Sequence, residues 1–163
     1  MKVVGIREVN QNILNSFSCG NEELDRFLKR NALANDQNGY GKTFVLINEK
    51  DILGFFTLCS SSIKFDEYPN KENEKLPKYP IPCIKIARLA VNKKYQHQGY
   101  GKELLKQAFL RVLSVSTTIG VRLIAVDAKK SAISFYTKYG FSPLENNKNS
   151  YYLLIDTLLK AFK

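Results

Sequence analysis

The chain has 163 residues, 44% of them hydrophobic and 25% charged, which is ordinary for a globular protein and long enough for one domain with a real core. No apolar run approaches the ~18 residues of a membrane span, and the start, MKVVGIREVNQ, lacks the apolar stretch of a signal peptide. Lys and Arg number 25 against 15 Asp and Glu, a formal charge of +10, so the domain either attracts polyanions such as RNA and phosphorylated cofactors or carries a lysine-rich solvated surface.

Three cysteines, Cys19, Cys59 and Cys83, lack metal or redox spacing and read as reduced thiols of a cytoplasmic protein. One histidine, with no CxxC or HExxH pattern, makes no case for zinc, and no metal is expected.

The elements follow in chain order. VVGIREV (3–9) alternates as a strand. From Gly20 to Ala34, Leu24, Phe27 and Leu28 recur at helical spacing, with Asn21 as N-cap and Glu22 and Glu23 at the positive end of the helix dipole. TFVLIN (43–48) and ILGFFTLCS (52–60) form two strands joined by a tight turn at Glu49, Lys50 and Asp51, and SIKF (62–65) extends the sheet. Gly54, inside the second strand, marks a bulge or a close backbone approach. Residues 66–82, with four prolines and many charges, read as a long surface loop, either functional or a passive insertion. CIKIARLAVN (83–92) is the strongest strand. After it comes a helix with an apolar stripe of Leu104, Leu105, Ala108, Phe109, Val112 and Leu113. VRLIAVDA (121–128) is a buried strand, and SAISFYTKYG (131–140) a short helix with Ser131 near its N-cap and Gly140 after its end. FSPL and SYYLLID (150–156) close the sheet. The order fits an α/β or α+β domain, residues 1–163, around a mixed sheet.

Between the strongest strand and the long helix lies QHQGYG, residues 96–101. A strand, a glycine turn and a helix start leave backbone N–H groups unsatisfied at the positive end of the helix dipole, and an anion, above all a pyrophosphate, is their natural ligand. Gly99 and Gly101 remove side chains that would block a close approach, and Gln96 offers a further donor. A P-loop would need Lys-Ser/Thr after the last glycine, and a dinucleotide fingerprint a third glycine. Alone, the pattern says only that an anion fits.

The segment ARLAVNKKYQHQGYGKELLKQAF resembles the acetyl-CoA-binding motif of the GNAT superfamily of N-acetyltransferases, a strand followed by Gln/Arg-x-x-Gly-x-Gly/Ala at a helix N-terminus. VDAKKSAISFYTKYGF (126–141) resembles that superfamily's second motif. FSCGNEELDRFLKRNA, ILGFFTLCSSSI and LPKYPIPCIKIARLAV are in turn similar to the GNAT toxins of bacterial toxin–antitoxin modules, over roughly residues 17–144. The resemblance implies a single GNAT domain with a mixed, largely antiparallel sheet flanked by helices. It implies acetyl-CoA as donor and the α-amino group of aminoacyl-tRNA as acceptor, so that translation stops. It further implies a ribbon-helix-helix antitoxin and a homodimer. Carried onto this sequence, Leu89, Ala90 and Val91 lie beside the pantetheine arm. Gln96, His97, Gln98, Gly99, Tyr100, Gly101 and Lys102 hold the pyrophosphate, and Phe135 lies against the cofactor. Tyr136 is the general acid on the CoA sulfur, while Tyr139 packs. Lys129 stands where many relatives have asparagine, three residues before Ala132.

The chemistry needs a neutral amine, a polarised thioester carbonyl and a proton for the leaving thiolate. An α-amine titrates near ~7.7–8.0 and a lysine near ~10.4, so an α-amine acceptor can dispense with a strong base. No carboxylate stands out as a base; Asp127, at the end of a core strand, either acts as one or caps the next helix. Arg88 either binds an acceptor phosphate or makes a structural ion pair. Lys29, Arg30, Lys93 and Lys94 are an RNA patch or a solvated face. Two other functions compete: a GNAT enzyme acting on a small amine or a protein N-terminus, and a non-catalytic module that binds acyl-CoA or a protein.

Overall fold

The computed structural model describes residues 1–69, 71 and 78–162. Residues 70 and 72–77, in the middle of the expected 66–82 loop, lie outside the described residues.

The strands are β1 (Lys2–Gly5), β2 (Lys42–Ile47), β3 (Ile52–Ile63), β4 (Ile81–Val91), β5 (Leu123–Asp127), β6 (Ser142–Pro143) and β7 (Ser150–Leu154). The helices are α1 (Gln11–Asn15), α2 (Glu22–Arg26), α3 (Ala32–Gln37), α4 (Tyr100–Ser116), α5 (Ile133–Lys138) and α6 (Ile155–Ala161). The strands form one seven-stranded sheet in the order β1-β2-β3-β4-β5-β7-β6. β4 and β5 run parallel, while β1–β2, β2–β3, β5–β7 and β6–β7 are antiparallel. This is the expected mixed, largely antiparallel sheet.

Several boundaries move for physical reasons. The first strand ends at Gly5, because Ile6 turns into a 3-10 segment (Ile6–Glu8) and drops into the core. β3 runs on to Ile63, but Phe65 begins another 3-10 turn instead of extending the sheet. β4 already starts at Ile81, which shortens the expected loop. Ser131 caps nothing: it lies inside a 3-10 turn (Lys130–Ala132), and α5 starts without a side-chain cap.

The chain forms two compact units, Met1–Cys59 with Ala87–Leu110, and Ser60–Ile86 with Arg111–Lys163. In the first, Ile6, Leu14, Phe17, Phe27, Leu28, Val45, Ile52, Phe55 and Ala90 pack as a core, with Phe17 edge-on to Phe55 at 5.5 Å. Each of the larger side chains, Ala90 aside, contributes about 1.5–3 kcal/mol. Asn21 caps α2 as expected, its side chain accepting from the Leu24 N–H at 3.2 Å. Between α2 and α3 the helix widens into a π-helical segment, Phe27–Asn31. Asp36 is buried and accepts from Arg7 Nε at 2.8 Å, Lys42 Nζ at 3.3 Å and the Thr43 N–H at 3.3 Å. In the second unit, Ile63, Tyr68, Ile81, Cys83, Leu123, Ala125, Leu144 and Tyr152 form a core of their own.

Candidate acyl-CoA site

Unit one carries the turn. Asn92, directly after β4, is buried; its N–H donates to the Leu53 carbonyl and its Nδ2 to the Ile52 carbonyl, both at 2.8 Å. Its Oδ1 accepts from the Lys94 N–H at 3.1 Å, opening a 3-10 turn (Lys93–Tyr95). The Lys93 N–H donates to the Ser18 carbonyl at 2.8 Å, and the Tyr95 hydroxyl to Asp51 Oδ2 at 2.5 Å. Gln96 has a different task from the one expected. Its Nε2 donates to the Cys19 carbonyl at 2.9 Å and the Val91 carbonyl at 3.0 Å, so both of its amide hydrogens shape the loop and neither is left for an anion.

The backbone then reverses hand. His97 has φ 62° and Gly99 φ 89°, and α4 starts at Tyr100. His97 is exposed, as a loop residue should be. Among the described residues no group accepts from the N–H groups of Gly99, Tyr100, Gly101 or Lys102; the first bond of the helix is Glu103 N–H to the Gly99 carbonyl at 3.2 Å. A Cβ added at Gly99 would meet nothing within 4 Å. The result is an open cluster of amides at the positive end of a 17-residue helix, a seat for an anion.

β4 feeds that turn. Its register with β5 runs from Cys83 to Ile86 and no further, so Leu89, Ala90 and Val91 extend past the paired stretch. The Ala90 side chain joins the core, and the Val91 carbonyl accepts from Gln96. Gly54 of β3 lies under this segment: a Cβ there would come within 2.6 Å of both the Ala90 carbonyl oxygen and Leu104 Cδ1. The close approach expected at Gly54 is real, and a register shift sits beside it, with Leu46 opposite Gly54 and Ile47 opposite Ile52. Arg88 makes no ion pair among the described residues. Its guanidinium lies 3.6 Å over the Phe27 ring.

Unit two carries the tyrosine. Tyr136, on α5, is 5% exposed, between Phe135 with ring centroids 5.1 Å apart and Phe141 at 5.4 Å. Burial drives its phenol pKa up, so the hydroxyl stays protonated. No protein group bonds that hydroxyl among the described residues. Tyr139 also packs edge-on against Phe135, with ring centroids 5.2 Å apart. Asp127 neither caps a helix nor stands free as a base: it pairs with Lys85 Nζ and accepts from Ser150 Oγ at 2.6 Å. Burial opposes its charge, but these two donors win and hold the carboxyl below its usual range. The pair forms part of the wall of an open cleft of about 360 Å³ that Ser61, Ser62 and Glu67 also line. Among the described residues no three His, Cys, Asp or Glu side chains gather as a metal would need.

Residues 39–143 match the family model described as the acetyltransferase (GNAT) domain. The chain belongs to the GNAT acetyltransferase family. The matched span draws on both units. A curated relative from Mycobacterium tuberculosis, named tRNA-acetylating toxin, is 36% identical over 127 residues, 77% of this chain and 76% of its own. The solved structure of AtaT complexed with acetyl-methionyl-tRNAfMet superposes with a TM-score of 0.90 at 27% identity, over 99% of both chains. A tyrosine-to-phenylalanine mutant of AtaT, bound to the C-terminus of the antitoxin AtaR and acetyl-CoA, has a TM-score of 0.80 at 25% identity, over 99% of this chain and 98% of that one. The fold is therefore that of the GNAT acetyltransferases.

Turn, strand and tyrosine were legible in the sequence. The scaffold of the turn was not, because Asn92, Gln96, Asp51 and Cys19 meet only in the fold. Asn92 alone left a signal, an asparagine closing a strand, where its side chain can hold the next turn.

Proposed function

We propose that this GNAT protein, one domain over residues 1–163, transfers acetyl from acetyl-CoA to the α-amino group of aminoacyl-tRNA, and thereby acts as a toxin that blocks translation in the cytoplasm. The observation that carries this reading is the likeness to AtaT over 99% of both chains, AtaT having been solved with acetyl-methionyl-tRNAfMet. The relative from Mycobacterium tuberculosis supports the same acceptor. The AtaT structure with AtaR supports an antitoxin partner. Within that reading the antitoxin is a ribbon-helix-helix protein and the toxin a homodimer.

The residues fit an acyl-CoA. The amides of Gly99 to Lys102, with Lys102 and the neighbouring His97, Gln98 and Tyr100, hold the pyrophosphate; the unpartnered amides and the left-handed Gly99 support this. Leu89 to Val91 run beside the pantetheine arm, and a main-chain N–H there orients the thioester carbonyl. Phe135 supports the cofactor and Tyr136. As the amine nitrogen bonds to the carbonyl carbon and the C–S bond breaks, Tyr136 gives its proton to the departing sulfur, and water takes the amine's proton. Burial keeps the phenol in its protonated form near neutral pH, so the hydroxyl carries a proton to give and is not a phenolate base. Cys19 is unsuited to an acetyl-cysteine route. Burial, then the bond to Asp25, pushes its thiol up to about 11, so it carries almost no thiolate near neutral pH.

The test is direct. Labelled acetyl-CoA is incubated with the protein and total aminoacylated tRNA, and in parallel with polyamines and peptide N-termini. Label on the aminoacyl group is expected. Label on the small amines alone would assign the protein to ordinary GNAT amine chemistry, and none on any amine would make it a non-catalytic binder.

A further inference from the structure

Arg88 is the unexplained charge of unit one. It is half-buried, and among the described residues no carboxylate, carbonyl or hydroxyl accepts from its guanidinium. What fixes it is the face of Phe27, 3.6 Å away, at the first residue of the π-helical segment. Stacking of this kind uses the flat face of the guanidinium and leaves the N–H fork at its edge free for a planar or tetrahedral anion. Holding a cation partly out of water without a partner is costly, which makes such a fork a receptor awaiting a ligand. π-helical insertions recur at functional sites, and this one delivers the aromatic platform.

The position on β4 narrows the ligand. Arg88 is adjacent to Leu89, whose main chain borders the thioester in the reading above, while the amides already assigned to the cofactor pyrophosphate begin at Gly99. An anion at Arg88 is therefore an anion of the acceptor, close to the amine that reacts. Small amines and protein N-termini need carry none. An aminoacyl-tRNA always does: its last phosphodiester lies one ribose away from the esterified amino acid.

We propose that Arg88, braced on Phe27, binds the 3′-terminal phosphodiester of the acceptor tRNA and so selects aminoacyl-tRNA over phosphate-free amines. This rests on the function proposed above. The full-length protein is assayed with labelled acetyl-CoA and total aminoacylated tRNA at several salt concentrations, as wild type, Arg88→Gln and Arg88→Lys. Loss of a charge-assisted contact is expected to raise the Arg88→Gln KM for aminoacyl-tRNA about 10- to 100-fold. The log–log salt slope of that KM should fall by about 0.7–0.9, one phosphate contact. Arg88→Lys should keep the slope but not the full affinity, and the KM for acetyl-CoA should stay unchanged in both. If Arg88→Gln instead raises the acetyl-CoA KM, the residue serves the cofactor and the proposal is wrong. A lower kcat with an unchanged salt slope gives it a purely structural role and equally overturns it. A wild type that labels no aminoacyl-tRNA sinks the function itself; an active wild type with an indifferent Arg88→Gln sinks only this inference.

Discussion

At the scale of single residues, protonation decides. Tyr136 is wedged between Phe135 and Phe141, and nothing holds its hydroxyl among the described residues. Tyr136→Phe therefore keeps the ring packing and removes one proton donor. The expected result is a kcat about 10²–10⁴ lower with an unchanged KM for acetyl-CoA and an unchanged melting temperature. A variant with wild-type kcat removes Tyr136 from the chemistry. Asp36 is the counter-example, a charge that serves stability. Burial raises its pKa, but Arg7, the Thr43 amide and Lys42 outweigh it, so the folded carboxyl lies below its unfolded value. A depressed carboxyl stabilises the fold above the unfolded pKa of about 3.9, and that contribution is lost as pH falls through the folded one. Asp36→Asn should cost roughly 1–3 kcal/mol at pH 7. Melting curves against pH should show the two proteins converging in acid, as the pH falls through the depressed pKa of the folded Asp36 carboxyl. A gap that persists there would mean that packing, not charge, is what the substitution removes.

At the scale of elements, the repeating patterns were legible and the exceptions were not. The apolar stripe of α4 and the run of β4 follow from period and composition. The π-helical segment was invisible, because Leu24, Phe27 and Leu28 satisfy an ordinary helix equally well. α1 and α6 also escaped, being five and seven residues long with one or two buried side chains each. Glycine was the better guide. At Gly54 an added methyl would strike the Ala90 carbonyl and Leu104 at 2.6 Å, and a main-chain carbonyl cannot swing aside. Gly54→Ala should therefore lower stability by about 1–3 kcal/mol, read as a drop in denaturation midpoint. Gly99 poses the opposite problem, strained dihedrals in open space. Gly99→Ala pays only for its φ of 89°, on the order of 1–2 kcal/mol, while Gly99→Glu adds a carboxylate to an anion seat. Calorimetric titration should find acetyl-CoA affinity modestly reduced in the first and largely lost in the second. Equal affinities in the two variants would move the pyrophosphate away from this turn.

For the molecule as a whole, the charge of +10 still admits a binding surface or a merely solvated one. The structure shows where some of it is committed: Arg7 and Lys42 to Asp36, Lys71 to Glu145, Lys85 to Asp127 and Arg122 to Asp156. Arg30, Lys93, Lys94, Lys102 and Lys106 of unit one are exposed, as are Lys130 and Lys148 of unit two. Sequence could not sort the two sets, because partners such as Lys71 and Glu145 lie far apart along the chain. Salt separates the readings. A cation that meets phosphate displaces a condensed counterion, and each contact adds about 0.7–0.9 to the slope of log affinity against log salt. A solvated face releases none. Three phosphate contacts would weaken aminoacyl-tRNA binding roughly 20- to 40-fold between 50 and 200 mM salt. Under the proposed function the protein should show at least that loss in the KM for aminoacyl-tRNA, with a much shallower change for acetyl-CoA, whose pyrophosphate is there assigned largely to neutral amides at the start of α4. A flat profile for the tRNA would leave the excess lysines as surface alone. Recognition would then rest on the aminoacyl end alone, and the Arg88 phosphate contact would fall with the patch.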